Sequence, residues 1–162
     1  MGTLQVVATP IGNLEDVTLR ALRVLREADH LYAEDTRRVR TLLHRHGISA
    51  HPISLYSENE AGRVREILEK LGRDETVVLV SDAGTPLISD PGARVVSSAA
   101  RSGHDVEGIP GPSAVLTALS VCGVRTHPFT FVLNSSPKAT CFTRRNTTFK
   151  FSRRLKHRSH ER

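Results

Sequence analysis

The sequence predicts an α/β fold, a mainly parallel five-stranded sheet flanked by helices and followed by a basic, irregular tail. Three observations carry this expectation. Short β-branched, apolar runs alternate with amphipathic helical stretches through residues 1–126, the pattern of successive βαβ units. The run Val77-Val78-Leu79-Val80 is apolar without alternation, as a strand buried on both faces must be, which favours parallel pairing. Charge then divides the chain. Residues 127–162 hold nine of the 23 Lys and Arg but one of the 17 acids, so the body carries about −2 and the tail about +8.

Leu4-Gln5-Val6-Val7-Ala8 reads as the first strand and ends in the turn-rich Thr9-Pro10-Ile11-Gly12-Asn13. A helix is predicted from Asp16 or Thr18, either of which can cap it, with Leu19, Leu22 and Leu25, joined by Val24, on one buried face. His30-Leu31-Tyr32-Ala33 is a second strand. The helix after it carries Val39, Leu42 and Leu43 and stops at Gly47. Pro52 to Tyr56 is a third strand, and Asn59 is placed to cap a helix with Val64, Ile67, Leu68 and Leu71 inward, closed by Gly72. The strand Val77–Val80 precedes a helix through Val95, Val96 and Ala99 that ends at Gly103. A fifth strand over His104–Ile109 leads to a last body helix with Val115, Leu116, Leu119 and Val121, ending near Gly123. Phe129–Leu133 reads as one more strand. Beyond it the Asn, Ser, Thr, Arg and Lys content predicts disorder or irregular packing.

A chain of 162 residues suits one moderate domain. No apolar run is long enough to span a membrane, and Met1-Gly2-Thr3-Leu4 leads straight into strand-like sequence, so neither a membrane partner nor a signal peptide is expected. Cys122 and Cys141 lack metal-ligand spacing and read as free thiols in a reducing, cytoplasmic setting. The eight histidines form no metal-binding pattern, so no metal is expected.

Four strand-following loops carry the chemistry: Thr9–Asn13, Ala33–Arg38, Ser81–Gly92 and Pro110–Ala114. In a parallel sheet these ends share one edge, where α/β sheets bind ligands. A Gly/Pro loop alone is usually only a turn, but four on one edge favour a binding site. Glycines 12, 84 and 111 allow close backbone approach. Neither a G-x-x-x-x-G-K-[ST] nor a G-x-G-x-x-G phosphate cradle is present. Asp82 and Asp90 instead suit a ligand with hydroxyls, amines or a cationic centre. Asp82 reads as a ligand contact, whereas Asp90, ahead of Pro91, reads better as a helix N-cap. Glu34-Asp35-Thr36-Arg37-Arg38 has two balanced readings. One is a capped helix start with solvated arginines; the other is a substrate patch whose arginines meet phosphate while a carboxylate assists proton removal.

The segments VVATPIGNLEDVTLRALRVL, AEDTRR, VSDAGTPLISDPG and IPGPSAVLTALS, in that order, resemble the start of the ribosomal RNA small-subunit methyltransferase I family, within the tetrapyrrole methylase superfamily. The resemblance covers residues 3–126 and fades after about residue 131. It implies the N-terminal domain of the tetrapyrrole methylase fold over residues 1–126, with residues 127–162 standing where the family has a second domain. It further implies an S-adenosylmethionine-dependent ribose 2′-O-methyltransferase acting on a cytidine of small-subunit rRNA, as a homodimer in the intact family. By the same resemblance Pro10, Asp82, Gly84, Thr85, Ile88, Ser113 and Ala114 face the cofactor, and Asn13, Arg37 and Arg38 face RNA. Asp35 or Glu34, which also face RNA, is the candidate base. A second reading is a non-catalytic remnant of that enzyme whose basic tail binds RNA weakly and without specificity. A third is a tetrapyrrole-modifying methyltransferase, which the Glu-Asp-Thr-Arg segment disfavours.

Overall fold

Strands β1 (Thr3–Val7), β2 (His30–Ala33), β3 (Pro52–Ser54), β4 (Val77–Val80) and β5 (Asp105–Ile109) form a five-stranded sheet in the order β3-β2-β4-β1-β5, every pair parallel. The computed structural model describes residues 2–87 and 90–123, and the backbone of residues 129–132, 140–143 and 148–150. The chain divides into two compact units, Met1–Ser113 and Ala114–Arg162.

Side-chain alternation along the strands distributes the first unit's core to two faces. Val78 and Val80 of β4, Leu31 and Ala33 of β2 and Val7 of β1 pack with helices α1 (Leu19–Glu27) and α2 (Thr36–Arg45). Val77 and Leu79, Tyr32 and Leu4 pack on the other face with α3 (Glu60–Leu71) and α4 (Ala93–Arg101). Every residue of β4 is buried, as its unbroken apolar run requires.

Helix ends show where local sequence rules held and where neighbours replaced them. Thr18 caps α1, its hydroxyl accepting from Ala21 N–H at 3.1 Å. The buried face of α1 is Ala21, Leu22, Val24 and Leu25, while Leu19 is 86% exposed. Leu19 belongs to the first turn, ahead of the point where the helix reaches the sheet, so the expectation that it is buried is corrected. Asn59 precedes α3 but does not cap it. Its side chain accepts from Tyr56 N–H at 2.9 Å and donates to the Ser54 carbonyl at 3.2 Å, tying off β3 two residues earlier than predicted. Asp90 is likewise not the cap of α4. That position belongs to Gly92, which has no side chain to offer, and buried Glu60 of α3 takes the N–H groups of Gly92 and Arg94 instead.

The second unit opens with α5 (Ala114–Val121), which carries Val115, Leu116, Leu119 and Val121 as predicted and none of whose residues is buried. In the tail, β6 (Phe129–Val132), β7 (Thr140–Thr143) and β8 (Thr148–Lys150) pair antiparallel in the order β6-β7-β8. The first lies where one strand is predicted. The other two fall where irregular chain is predicted, because runs of three or four residues, Thr-Cys-Phe-Thr and Thr-Phe-Lys, are too short to show a period. Among the described residues no helix is long and apolar enough to cross a membrane.

One polar network braces α3 against the sheet. The hydroxyl of fully buried Tyr32 donates to Glu66 at 2.8 Å and accepts from Lys70 at 2.8 Å, and Lys70 and Arg63 also bond to Glu66. Burial pushes the Glu66 carboxyl up, but hydrogen bonds from Lys70, Arg63 and Tyr32 outweigh it and hold the group at about 2, against an ordinary 4.5. A lowered folded-state value means this stabilisation is complete above pH 4.5 and is lost as pH falls towards 2. Thermal unfolding should therefore show wild type above Glu66→Gln at neutral pH, with the gap closing between pH 4.5 and 2. A gap independent of pH would rule out this role for Glu66.

Candidate active site

All five strands run the same way, so their following loops leave from one edge of the sheet. Neighbours β2 and β4 continue in opposite directions: β2 through α2 to β3 on one face, β4 through α4 to β5 on the other. Such a divergence opens a crevice between the two strand ends, where sheets of this kind hold ligands.

Three loops are locked around that point by backbone bonds. Thr9, after β1, exchanges two hydrogen bonds with Gly84 of the β4 loop, N–H to O at 2.9 Å and O to H–N at 3.0 Å. The Thr9 hydroxyl donates to the Ser81 carbonyl at 3.1 Å, and the Ser81 hydroxyl donates to the Gly84 carbonyl at 3.3 Å. The β5 loop lies against β1's exit: Ala8 N–H donates to Ile109 O at 3.2 Å, and a Cβ on Gly111 would stand 2.8 Å from that of Ala8. Only glycine permits this approach. Thr9 and Ser81 are buried polar residues that sequence reasoning did not single out as functional, and strand-end hydroxyls facing each other across the sheet are their only signal.

Carboxylates and arginines define the crevice itself. Asp35 is the N-cap of α2, accepting from Arg37 N–H at 2.9 Å, while the Arg37 guanidinium bonds both carboxyl oxygens at 3.2 Å. Those bonds, first from the Arg37 side chain and then from its N–H, hold the Asp35 carboxyl below its ordinary value. Asp82 Oδ1 accepts from Asp35 N–H at 2.9 Å, and Asp82 Oδ2 lies 3.4 Å from Arg38 Nε, which is 4.0 Å from Asp35 Oδ2. The capped-helix and substrate-patch readings of this segment are thus compatible. Asp35 caps, and the side chains of Arg37 and Arg38 stand 85% and 64% exposed at the same edge.

The other predicted residues fall as follows. Pro10 is buried behind Thr9, Gly84 is buried in its bridge, Thr85 is exposed beside it, and Ser113 is half-buried at the end of the first unit. Glu34 is half-buried between β2 and Asp35. Asn13 is exposed and accepts from Glu15 N–H at 3.1 Å, shaping its own turn. Ala114 begins α5 in the second unit, and Ile88 lies outside the described residues. This arrangement offers a small ligand one acidic loop, several backbone groups and, one strand away, two arginines suited to phosphate.

Comparison with known proteins gives three findings. The sequence profile of the tetrapyrrole (corrin/porphyrin) methylases matches residues 3–140. The ribosomal RNA small subunit methyltransferase I of Thermotoga maritima is 47% identical over 131 residues, 81% of this chain and 59% of that protein. The same-named protein of Xylella fastidiosa is 48% identical over 130 residues, 80% of this chain and 48% of that protein. The chain therefore spans about half the length of the curated relatives it matches. Among solved structures, a conserved hypothetical protein from Aeropyrum pernix K1 superposes with a TM-score of 0.66 at 24% identity, over 80% of this chain and 45% of that one, a likeness of fold.

Because Asp82 joins the β2 and β4 loops, Asp82→Ala should leave the Asp35 N–H unpaired and cost about 1–2 kcal/mol in denaturant unfolding. Asp82→Asn, which keeps an acceptor, should recover most of that loss. Equal losses in the two variants would show that the bond to Asp35 is not what Asp82 contributes.

Proposed function

We propose, because the chain belongs to the tetrapyrrole (corrin/porphyrin) methylase family, that its first unit forms the methyl-donor side of an S-adenosylmethionine-dependent RNA methyltransferase. The acceptor we assign is the ribose 2′-hydroxyl of a cytidine in small-subunit rRNA, in keeping with the name its relatives carry. The observation that carries this reading is the meeting of the Ser81–Gly92 loop with the Asp35-Arg37-Arg38 segment through Asp82. One side suits a cationic sulfonium and a ribose, and the other suits an RNA backbone. S-adenosylmethionine, when bound, would supply an electrophilic methyl group carried on positively charged sulfur.

The chain's residues have separate tasks in this scheme. Pro10, Asp82, Gly84, Thr85, Ile88 and Ser113 hold the donor. The locked backbone of Thr9 and Gly84 keeps that wall rigid, so positioning supplies much of the acceleration. Arg37 and Arg38 take phosphate, and Asn13 borders the same edge. Asp35 or Glu34 receives the hydroxyl proton at or after attack. Its bonds to Arg37 lower the proton affinity of Asp35 and keep it ionised, so its carboxylate can orient the hydroxyl and accept that proton.

Calorimetric titration of the full chain with S-adenosylmethionine tests the first half, with saturable binding in the micromolar range (roughly −8 kcal/mol) expected. A folded chain that binds none would overturn the reading. In a methylation assay Asp35→Asn should slow transfer about 100-fold or more with donor affinity retained. An unchanged rate would remove Asp35 from the mechanism.

A second reading rests on the charge of residues 127–162, about +8 by composition, which suits sequence-independent contact with RNA phosphates. RNA affinity should then fall steeply with salt for the full chain, and a chain ending at Arg125 should lose most of that slope. Identical slopes would dismiss the tail as a binding arm.

A further inference from the structure

We propose that Glu60, on the first turn of α3, is a positioning residue that clamps the far end of the Ser81–Gly92 loop and so sets the shape of the donor wall. The inference rests on the functional reading above only where donor affinity is concerned. Glu60 is 8% exposed, a rare burial for an acid, and no oppositely charged side chain pairs with it among the described residues. Its Oε1 accepts from Gly92 N–H at 3.0 Å and from Arg94 N–H at 2.9 Å, two of the donors that open α4. Helix α4 has no cap of its own, since Gly92 holds that position. A carboxyl group 32 residues back in the chain therefore performs the capping.

The loop depends on this clamp for three reasons. Its near end is secured by β4 and by the Thr9–Gly84 bridge, but between Gly84 and Gly92 it includes Leu87 at φ 77°, a left-handed conformation that a leucine holds only under restraint. Gly92 sits at φ 119°, and a Cβ there would lie 2.6 Å from Leu79 Cδ2 and 2.8 Å from Leu87 Cδ2. The far end is thus pressed against β4 and against the loop's own strained leucine. Nothing at Gly92 except its backbone can fasten it, and Glu60 grips that backbone. Because Glu60 begins α3, whose later turns are braced by Tyr32, Glu66 and Lys70, the clamp is anchored in the core of the sheet.

Hydrogen exchange of the full chain provides the decisive readout, with the Gly84 amide as reporter because it bonds to Thr9 and not to Glu60. In Glu60→Ala the amides from Asp82 to Leu87 should exchange about tenfold faster or more, and S-adenosylmethionine should bind about tenfold more weakly, the fold-change expected when a shared hydrogen-bond acceptor is lost. Glu60→Gln keeps the accepting oxygen and should restore both values to within about twofold of wild type. Leu71→Ala, a core truncation on the same helix, should lower the unfolding temperature without selectively speeding exchange in the loop. Should Glu60→Ala not fold, Glu60→Asp, one methylene shorter, carries the same test. Unchanged exchange at Gly84 in the Glu60 variants, or equal acceleration in Leu71→Ala, would overturn the proposal. If wild type binds no donor while its loop exchange still answers to Glu60, the functional reading falls and the clamp stands.

Discussion

Strand β4 is paired along both edges and packed on both faces, and the first unit is organised around that fact. Its backbone groups are taken up by β1 on one side and β2 on the other, and its side chains supply both cores alternately. Such a strand has no freedom to shift register, because a slip of one residue would exchange the two cores. The loop that leaves it therefore starts from a fixed point with the exits of β1 and β2 on either side. That is why Gly84 can meet Thr9 while Asp82 meets Asp35.

The electrostatics of the edge follow from this placement. Asp35 and Asp82 come from adjacent strand ends and would repel each other if left alone. Arg37 engages Asp35 with two side-chain bonds, and Arg38 stands between the two carboxylates, so their mutual repulsion is offset. The arginines do this from the solvent side. The same groups that stabilise the acids thereby remain accessible to an anionic partner, and a phosphate arriving there would share cations already held in position.

Much of the fold was legible in the residues because it rests on local patterns. Val77–Val80 announced a doubly buried strand, and Thr18 and Asp35 announced helix starts through their own hydroxyl and carboxyl oxygens. Local patterns misled where a residue's partner lay elsewhere in the chain. Asn59 was drawn away to Ser54 and Tyr56, Asp90 lost its capping role to Glu60, and Leu19 preceded the contact with the sheet. The strands at Thr140–Thr143 and Thr148–Lys150 were hidden because their pairing, not their period, defines them.

The candidate site divides along the same line. By itself the sequence determined the type of sheet, the four loops at its edge and the residues Asp82, Gly84, Asp35 and Arg37 within them, since apolar runs and turn residues are readable one segment at a time. Only the tertiary structure decided that Asp82 joins the two central loops, that Thr9 and Ser81 lock the wall and that Glu60 closes its far end. Each of these is a hydrogen bond between segments some 30 to 75 residues apart, satisfied because burial leaves an unpaired polar group no water to turn to.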